Sequence, residues 1–341
     1  MISIAAASKK SDEIGIPIID IGELQSNPGE RAIQRIATEI GKACRGIGFF
    51  YIVNHAIPDD SLAEAFEANR RVHRLPMHEK ERIKLNKWHR GYETFASSQL
   101  TSSARFAPAQ HPNQLESFFL RHEVPTSDPR FEREPLCGPN QWPADPRFRD
   151  AVTRYDTAVR ELAVRLLAPF SIAVGEEPGF FARFFTPPST ALKLIHYPPV
   201  PAARPEDLFG IPPHTDYGFL PILAQDDVGG LQLQRVDGTW IPAPYMPGSF
   251  ILNIGDILAR WTNDEFSSTP HRVINPSASA DRYSIALFFD PSLDATVECL
   301  ARFSGATRPV RYEPIRYGDY YTMRLDKNFP DRTGAPPTAR G

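Results

Sequence analysis

The stretch PPHTDYGFLPIL sets a histidine and an aspartate two residues apart, His214 and Asp216, in what reads as a β-strand. Residues i and i+2 of a strand project from one face, so the pair would aim at a common point while Thr215 turns away. Such a pair needs either solvent or a shared partner, because an unpaired buried charge is costly. His271, in the short apolar segment TPHRVIN, offers a third donor. Two imidazoles and one carboxylate are the donor set that suits non-haem Fe(II), and they leave part of the metal open to reactants. A structural zinc site would instead close its shell with a fourth protein ligand, often cysteine. Standing alone, HxD also describes a surface turn, and a lone histidine also describes a satisfied core residue.

Further on, DRYSIALFFDP places Arg282 and Ser284 on one face of another strand. A guanidinium beside a hydroxyl can receive a carboxylate through a charge-assisted, bidentate contact. By itself RxS equally describes a surface arginine bonding a neighbouring loop. The succession HxD, then His, then RxS, all on predicted strands, favours a single site.

These residues depend on elements whose period changes along the chain. IPIIDIGEL predicts a short strand at Ile16 to Ile21. Ile33, Ile36, Ala37, Ile40, Ala43, Cys44 and Ile47 then recur at helical spacing, Gly46 and Gly48 end that helix, and FFYIVN follows as an apolar strand. PDDSLAEAFEANRRVHRL predicts a second helix capped by Asp59, Asp60 or Ser61. From Trp88 to Asn140 the pattern is irregular, with a strand at ESFFLRHEV, and a long helix spans about Pro146 to Val174. After Pro188, short strands separated by Gly, Pro, Asn and Asp read as an antiparallel jelly roll or barrel. The expected fold is mixed α/β with a β core braced by N-terminal and central helices. It divides into a supporting region with pocket loops, 1–140, and a catalytic core with a C-terminal tail, 141–341, acting as one catalytic unit.

Composition narrows the function. The 341 residues carry a net charge of −3, with 41% hydrophobic and 23% charged residues, an ordinary soluble balance without the basic footprint of a nucleic-acid partner. The 34 prolines are scattered, as suits many short elements joined by turns. Cys44, Cys137 and Cys299 are too far apart for a metal-binding pair and odd in number, which predicts free thiols in a reducing compartment. The first residues form neither a signal peptide nor a membrane span, so a cytoplasmic protein is expected.

HTDYGFLPILAQDDVGGLQL, GSFILNIGD, TPHRVINP and RYSIALFFDP together resemble the isopenicillin N synthase-like branch of the 2-oxoglutarate/Fe(II)-dependent dioxygenases. IPIIDIGEL…GFFYIVNHAIP and LKLIHYPP resemble the same family, so the likeness runs from about Ile16 to Pro291. It implies a distorted double-stranded β-helix, with His214, Asp216 and His271 as catalytic iron ligands. It implies that Arg282 and Ser284 hold the distal carboxylate of 2-oxoglutarate, that Tyr197 adds a hydrogen bond, and that Asn253 supports the cofactor site. The implied reaction consumes O2, passes through a ferryl species, releases succinate and CO2, and uses ascorbate as reductant. Its outcome would be hydroxylation, desaturation or ring closure. Two positions depart from the family pattern: His196, where many members carry an aromatic or another polar residue, and Pro221, which predicts an edge or a bulge.

The expected substrate is a small, partly apolar molecule, and the expected assembly a monomer or weak homodimer without membrane or nucleic-acid partners. Tyr92, Phe95, Phe106, Phe118, Phe219 and Phe288 are candidates for an apolar wall, and Arg105, Gln114, Arg121 or His122 for orienting a polar group. The remaining seven histidines lack partners at comparable spacing and are read as nonligands. Three rivals stand beside this reading: an iron oxidase of the same fold that uses no 2-oxoglutarate, a metal-bound sensor without turnover, and a zinc hydrolase. The last lacks a nominated general base.

Overall fold

The computed structural model describes residues 10–329 except 12, 26–27, 99–105, 107–108 and 202, so Arg105 lies outside the described residues. Strand β1 (Ile18–Asp20) is followed by helix α1 (Glu30–Arg45), whose apolar stripe buries Ile36, Ala37, Ile40 and Cys44. Gly46 ends the helix by donating to the carbonyls of Lys42 and Ala43. Gly48 has a φ of +67°, and a β-carbon there would lie 2.1 Å from the Ser267 carbonyl oxygen, so only glycine fits where the chain enters β2 (Phe49–Val53).

Helices α2 (Asp59–His73) and α3 (Met77–Arg82) follow, then β3 (Gly91–Glu93) and β4 (Glu116–Arg121). The expected cap of α2 is corrected: Pro58 occupies the cap position without a side-chain bond, while Asp59 and Asp60 lie in the first turn, where negative charge meets the helix dipole. The long helix is α4 (Pro146–Ala173), opened by Asp145, whose carboxylate accepts from the Arg147 amide at 3.0 Å.

The strands that follow are β5 (Ser189–Tyr197), β6 (Ile211–His214), β7 (Leu220–Gln225), β8 (Leu231–Gln234), β9 (Trp240–Pro242) and β10 (Ser249–Asn253). After α5 (Asp256–Trp261) come β11 (His271–Val273) and β12 (Arg282–Asp290), then the hairpin of β13 (Thr296–Val297) with β14 (Ile315–Arg316), and α6 (Tyr317–Asn328).

An eight-stranded sheet runs β1-β2-β10-β7-β12-β5-β4-β3, and a four-stranded sheet runs β6-β11-β8-β9. The jelly-roll expectation therefore holds, with N-terminal strands completing both ends of the large sheet. Between the sheets lies a core that includes Phe49, Ile195, Leu231, Leu233, Ile251 and Val273. Behind the large sheet, α1, α2 and α4 pack over a second, larger core. The expectation for Pro221 is corrected too: β7 is an interior strand, and Pro221 pairs with Phe288 just before the ladder to β10 begins at Ile222. Among the described residues no helix is long and apolar enough to cross a membrane.

Candidate metal centre and its two cavities

His214 is the last residue of β6 and His271 the first of β11, and the two face each other in register across the small sheet. Asp216 is not on a strand, contrary to expectation; it sits in the turn beyond β6, where its carbonyl accepts the Asp256 amide at 2.8 Å. Asn253 Nδ2 donates to Asp216 Oδ2 at 2.7 Å and orients the carboxylate. The His214 and His271 Nδ1 groups donate to the carbonyls of Pro212 (2.8 Å) and Thr269 (3.2 Å). These bonds fix the tautomers and turn both Nε2 atoms toward the carboxylate, 3.9 Å from Oδ1 for His214 and 3.4 Å from Oδ2 for His271.

All three ligand atoms lie within 4.8 Å of one another, and among the described residues no fourth His, Cys, Asp or Glu joins them. Burial, then the neighbouring His271, push His214 well below the usual imidazole range, leaving the neutral ring that a metal requires. The donor set and its open remainder fit Fe(II) better than a closed structural zinc.

One side of this cluster opens into a cavity of about 70 Å³ between the sheets that ends on Arg282, Ser284 and Tyr197. Arg282 is fully buried, yet its partners are all neutral. Nε donates to the Gly229 carbonyl, Nη1 reaches Ser284 Oγ at 3.4 Å and Nη2 reaches Gln225 Oε1 at 3.5 Å. The guanidinium also lies 4.5 Å from the centre of the Tyr197 ring. The Asp226 carboxylate feels its charge but does not bond it, so a buried cation whose bonds all go to neutral groups is poised for an anion. Sequence reasoning missed Gln225, which pairs with Ser284 across β7 and β12 and is itself held by donating to the Ala243 carbonyl at 3.0 Å.

The other side opens into a cavity of about 110 Å³ that shares His214, Asp216 and Phe288 with the first. Phe119, Phe288 and Phe329 give it apolar walls, and Lys193, Asp290 and Tyr217 supply polar groups. Lys193 Nζ stands 3.3 Å from a Glu93 carboxylate oxygen, and burial raises Asp290 to about 6.

Of the proposed wall residues, Phe288 lines both cavities, while three others are corrected to core residues. Strand alternation turns Phe118 toward the helices, where it meets Phe148 edge-on, and leaves Phe119 facing the cavity. Tyr92, paired with Phe118, faces the same way and donates to Glu116. Phe219 packs among Phe170, Phe181, Phe185 and Trp261. Phe106 lies 6.5 Å from the Trp240 ring and Phe95 is exposed; neither is among the described residues lining these two cavities. Gln114 bonds the Phe209 carbonyl through its own backbone amide, Arg121 bonds Tyr321 and Ser189, and His122 is exposed. Lys193 and Asp290 were missed although the pleat announces them, since Arg282, Ser284, Ala286, Phe288 and Asp290 share one face of β12, and Lys193 and Tyr197 share that face on β5.

Residues 16–145 match the family model described as non-haem dioxygenase in morphine synthesis N-terminal, and residues 188–291 match the 2OG-Fe(II) oxygenase superfamily. The chain is 33% identical to the 2-oxoglutarate-Fe(II) type oxidoreductase hxnY of Emericella nidulans, over 89% of this chain and 87% of that protein. It is likewise 33% identical to a homoarginine-6-hydroxylase of Arabidopsis thaliana, over 84% of this chain and 80% of the relative. Among solved structures, a Neurospora crassa protein in complex with alpha-KG and thymine superposes with a TM-score of 0.79 at 26% identity, covering 92% of this chain and 96% of that one.

Proposed function

Because this chain belongs to the 2OG-Fe(II) oxygenase superfamily and is a 2-oxoglutarate/Fe(II)-dependent dioxygenase, we propose that it hydroxylates a small, partly apolar molecule held in the outer cavity. One observation carries the reading: the His214–Asp216–His271 cluster stands where the two cavities meet. The inner cavity ends on a guanidinium that bonds no carboxylate, and the outer has aromatic walls. In this reading His214, Asp216 and His271 hold the iron, and Asn253 keeps the Asp216 carboxylate turned toward it. Arg282 and Ser284 receive the far carboxylate of 2-oxoglutarate, and Tyr197 covers the guanidinium. Bound iron, with 2-oxoglutarate and O2, supplies the oxidant for a substrate C–H bond, the cosubstrate leaving as succinate and CO2.

Phe119, Phe288 and Phe329 exclude water from the substrate, and Lys193 binds an electron-rich group that fixes which carbon approaches the metal. Purified protein with Fe(II), ascorbate and air should release succinate from 2-oxoglutarate, and Asp216→Ala should not. A panel opening with homoarginine and thymine, drawn from its relatives, should yield a compound that raises succinate release and gains one oxygen. Succinate release equal in the Asp216→Ala protein would overturn the ligand assignment, and a product lacking the added oxygen would overturn hydroxylation.

A further inference from the structure

His196 stands one residue before Tyr197, on the opposite face of β5, and is bound at both ends. Its Nδ1 lies 2.7 Å from Glu116 Oε1 on β4, and its Nε2 lies 2.7 Å from Asp281 Oδ1, just before β12. A carboxylate oxygen therefore faces each ring nitrogen, and a carboxylate can only accept from it. Glu116 Oε2 also accepts from Lys80 Nζ at 2.9 Å and from the Tyr92 hydroxyl. Burial would raise the Glu116 carboxyl, but bonds from His196, Tyr92 and Lys80 outweigh it and hold the group at about 2. His73, from α2, has its ring 5.6 Å away and is kept neutral by burial, which brings it to about 3. Arg70, also on α2, pairs with Glu67 at 3.4 Å and lies 5.7 Å from the centre of the Tyr283 ring. Glu116, Lys80, His196 and Asp281 thus form one chain of polar contacts.

The location gives this cluster a function. In the ladder between β5 and β12, Tyr197 pairs with Arg282 and His196 pairs with Tyr283, on which its ring stacks at 4.8 Å. The bridge thus ties three strands together on the back of the rung whose front carries Tyr197 and Arg282. Asp281 lies next to Arg282 in the chain, so fixing its side chain fixes where Arg282 leaves the strand. We propose that His196, as a bridge between Glu116 and Asp281, is a positioning residue for 2-oxoglutarate. The inference rests on the reading that Arg282 and Tyr197 receive the cosubstrate. His196 itself touches neither cavity.

The test compares His196→Phe, which keeps the stack but loses both bonds, Asp281→Asn, which removes one anchor from a half-exposed site, and His196→Arg, which can still donate to two carboxylates. Calorimetric titration of 2-oxoglutarate into Mn(II)-loaded protein under argon reads binding directly, and initial rates separate KM from kcat. His196→Phe and Asp281→Asn should raise Kd and KM for 2-oxoglutarate by about three- to ten-fold, with kcat at saturation within about two-fold. His196→Arg should restore most of the loss. Unchanged Kd in the first two variants, or no rescue by arginine, would reduce the cluster to packing and overturn the inference. Should His196→Phe fail to fold, Asp281→Asn and His196→Arg decide the matter. Arg282→Met serves as the control: binding of 2-oxoglutarate equal to the parent there would remove the premise itself.

Discussion

Replacing Arg282 by methionine preserves most of the buried volume and removes the charge at the end of the inner cavity. Truncating one partner of a buried, hydrogen-bonded charge pair costs about 3–5 kcal/mol, because the remaining charge stays dehydrated. Here the remaining charge would be the far carboxylate of 2-oxoglutarate. Ser284 Oγ, 3.4 Å from Nη1, stays in place to donate one hydrogen bond, which favours the lower end of that range. A loss of about 3 kcal/mol corresponds to a rise of about 150-fold in KM for 2-oxoglutarate. Stability should move differently. The parent buries the guanidinium among neutral partners, so a methionine that fits should leave Tm unchanged or slightly raised, even with the Gly229 carbonyl losing a donor. Metal affinity should also hold, because Arg282 bonds none of the three ligands. Succinate release over a titration of 2-oxoglutarate, with metal content and Tm measured on the same preparations, gives all three readouts. A KM within three-fold of the parent, or an equal loss at every cosubstrate concentration, would refute the assignment.

Asn253→Ala removes the donor that turns the Asp216 carboxylate, and Fe(II) affinity should fall by about 10–100-fold in a competition titration while the fold is retained. Phe219→Ala should cost about 3–5 kcal/mol in denaturant unfolding with little change in substrate KM, whereas Phe288→Ala should change substrate KM more than stability. Glu116 is held at about 2, below its ordinary 4.5, so its stabilisation is complete above pH 4.5 and disappears as pH falls toward 2. Unfolding of Glu116→Gln should accordingly be less stable at neutral pH and show a flatter acid limb over that window.

The ligand set was legible in the sequence for a reason that proved incomplete. His214 and Asp216 do converge, but through a strand end and the following turn, not through two places on one strand. The spacing survives because the turn is pinned by the Asp216 carbonyl and by Asn253, neither of which HxD records. Arg282 and Ser284 were read from true strand alternation, which the nine-residue β12 obeys. The aromatic wall failed on the same rule. Every residue of β4 is buried, so hydrophobicity carries no alternation there, and Phe118 and Phe119 cannot be sorted to faces without knowing the register. Phe329 enters the outer cavity from beyond α6, far along the chain from the residues it meets, and no local pattern announces such a contact.

The division of labour between the sheets explains why the reaction class is easier to read than the substrate. Both histidines belong to the small sheet, where they pair directly across β6 and β11 before the register shifts toward Val273. Arg282, Ser284, Tyr197 and Asn253 belong to the large one. The inner cavity is therefore framed by regular strands, whose pleat ties residue spacing in the sequence to distance in space. The outer cavity is bounded by the large sheet on one side only. Its remaining walls come from Ile211 and His214 of β6, from the turn after it, from α6 and Phe329, and from loop residues such as His89, Ser98 and Asn113. Those segments can change while the register around Arg282 stays fixed. Specificity can thus be altered at Lys193, Asp290 or Phe329 without disturbing the cosubstrate end, and the two should respond separately to mutation.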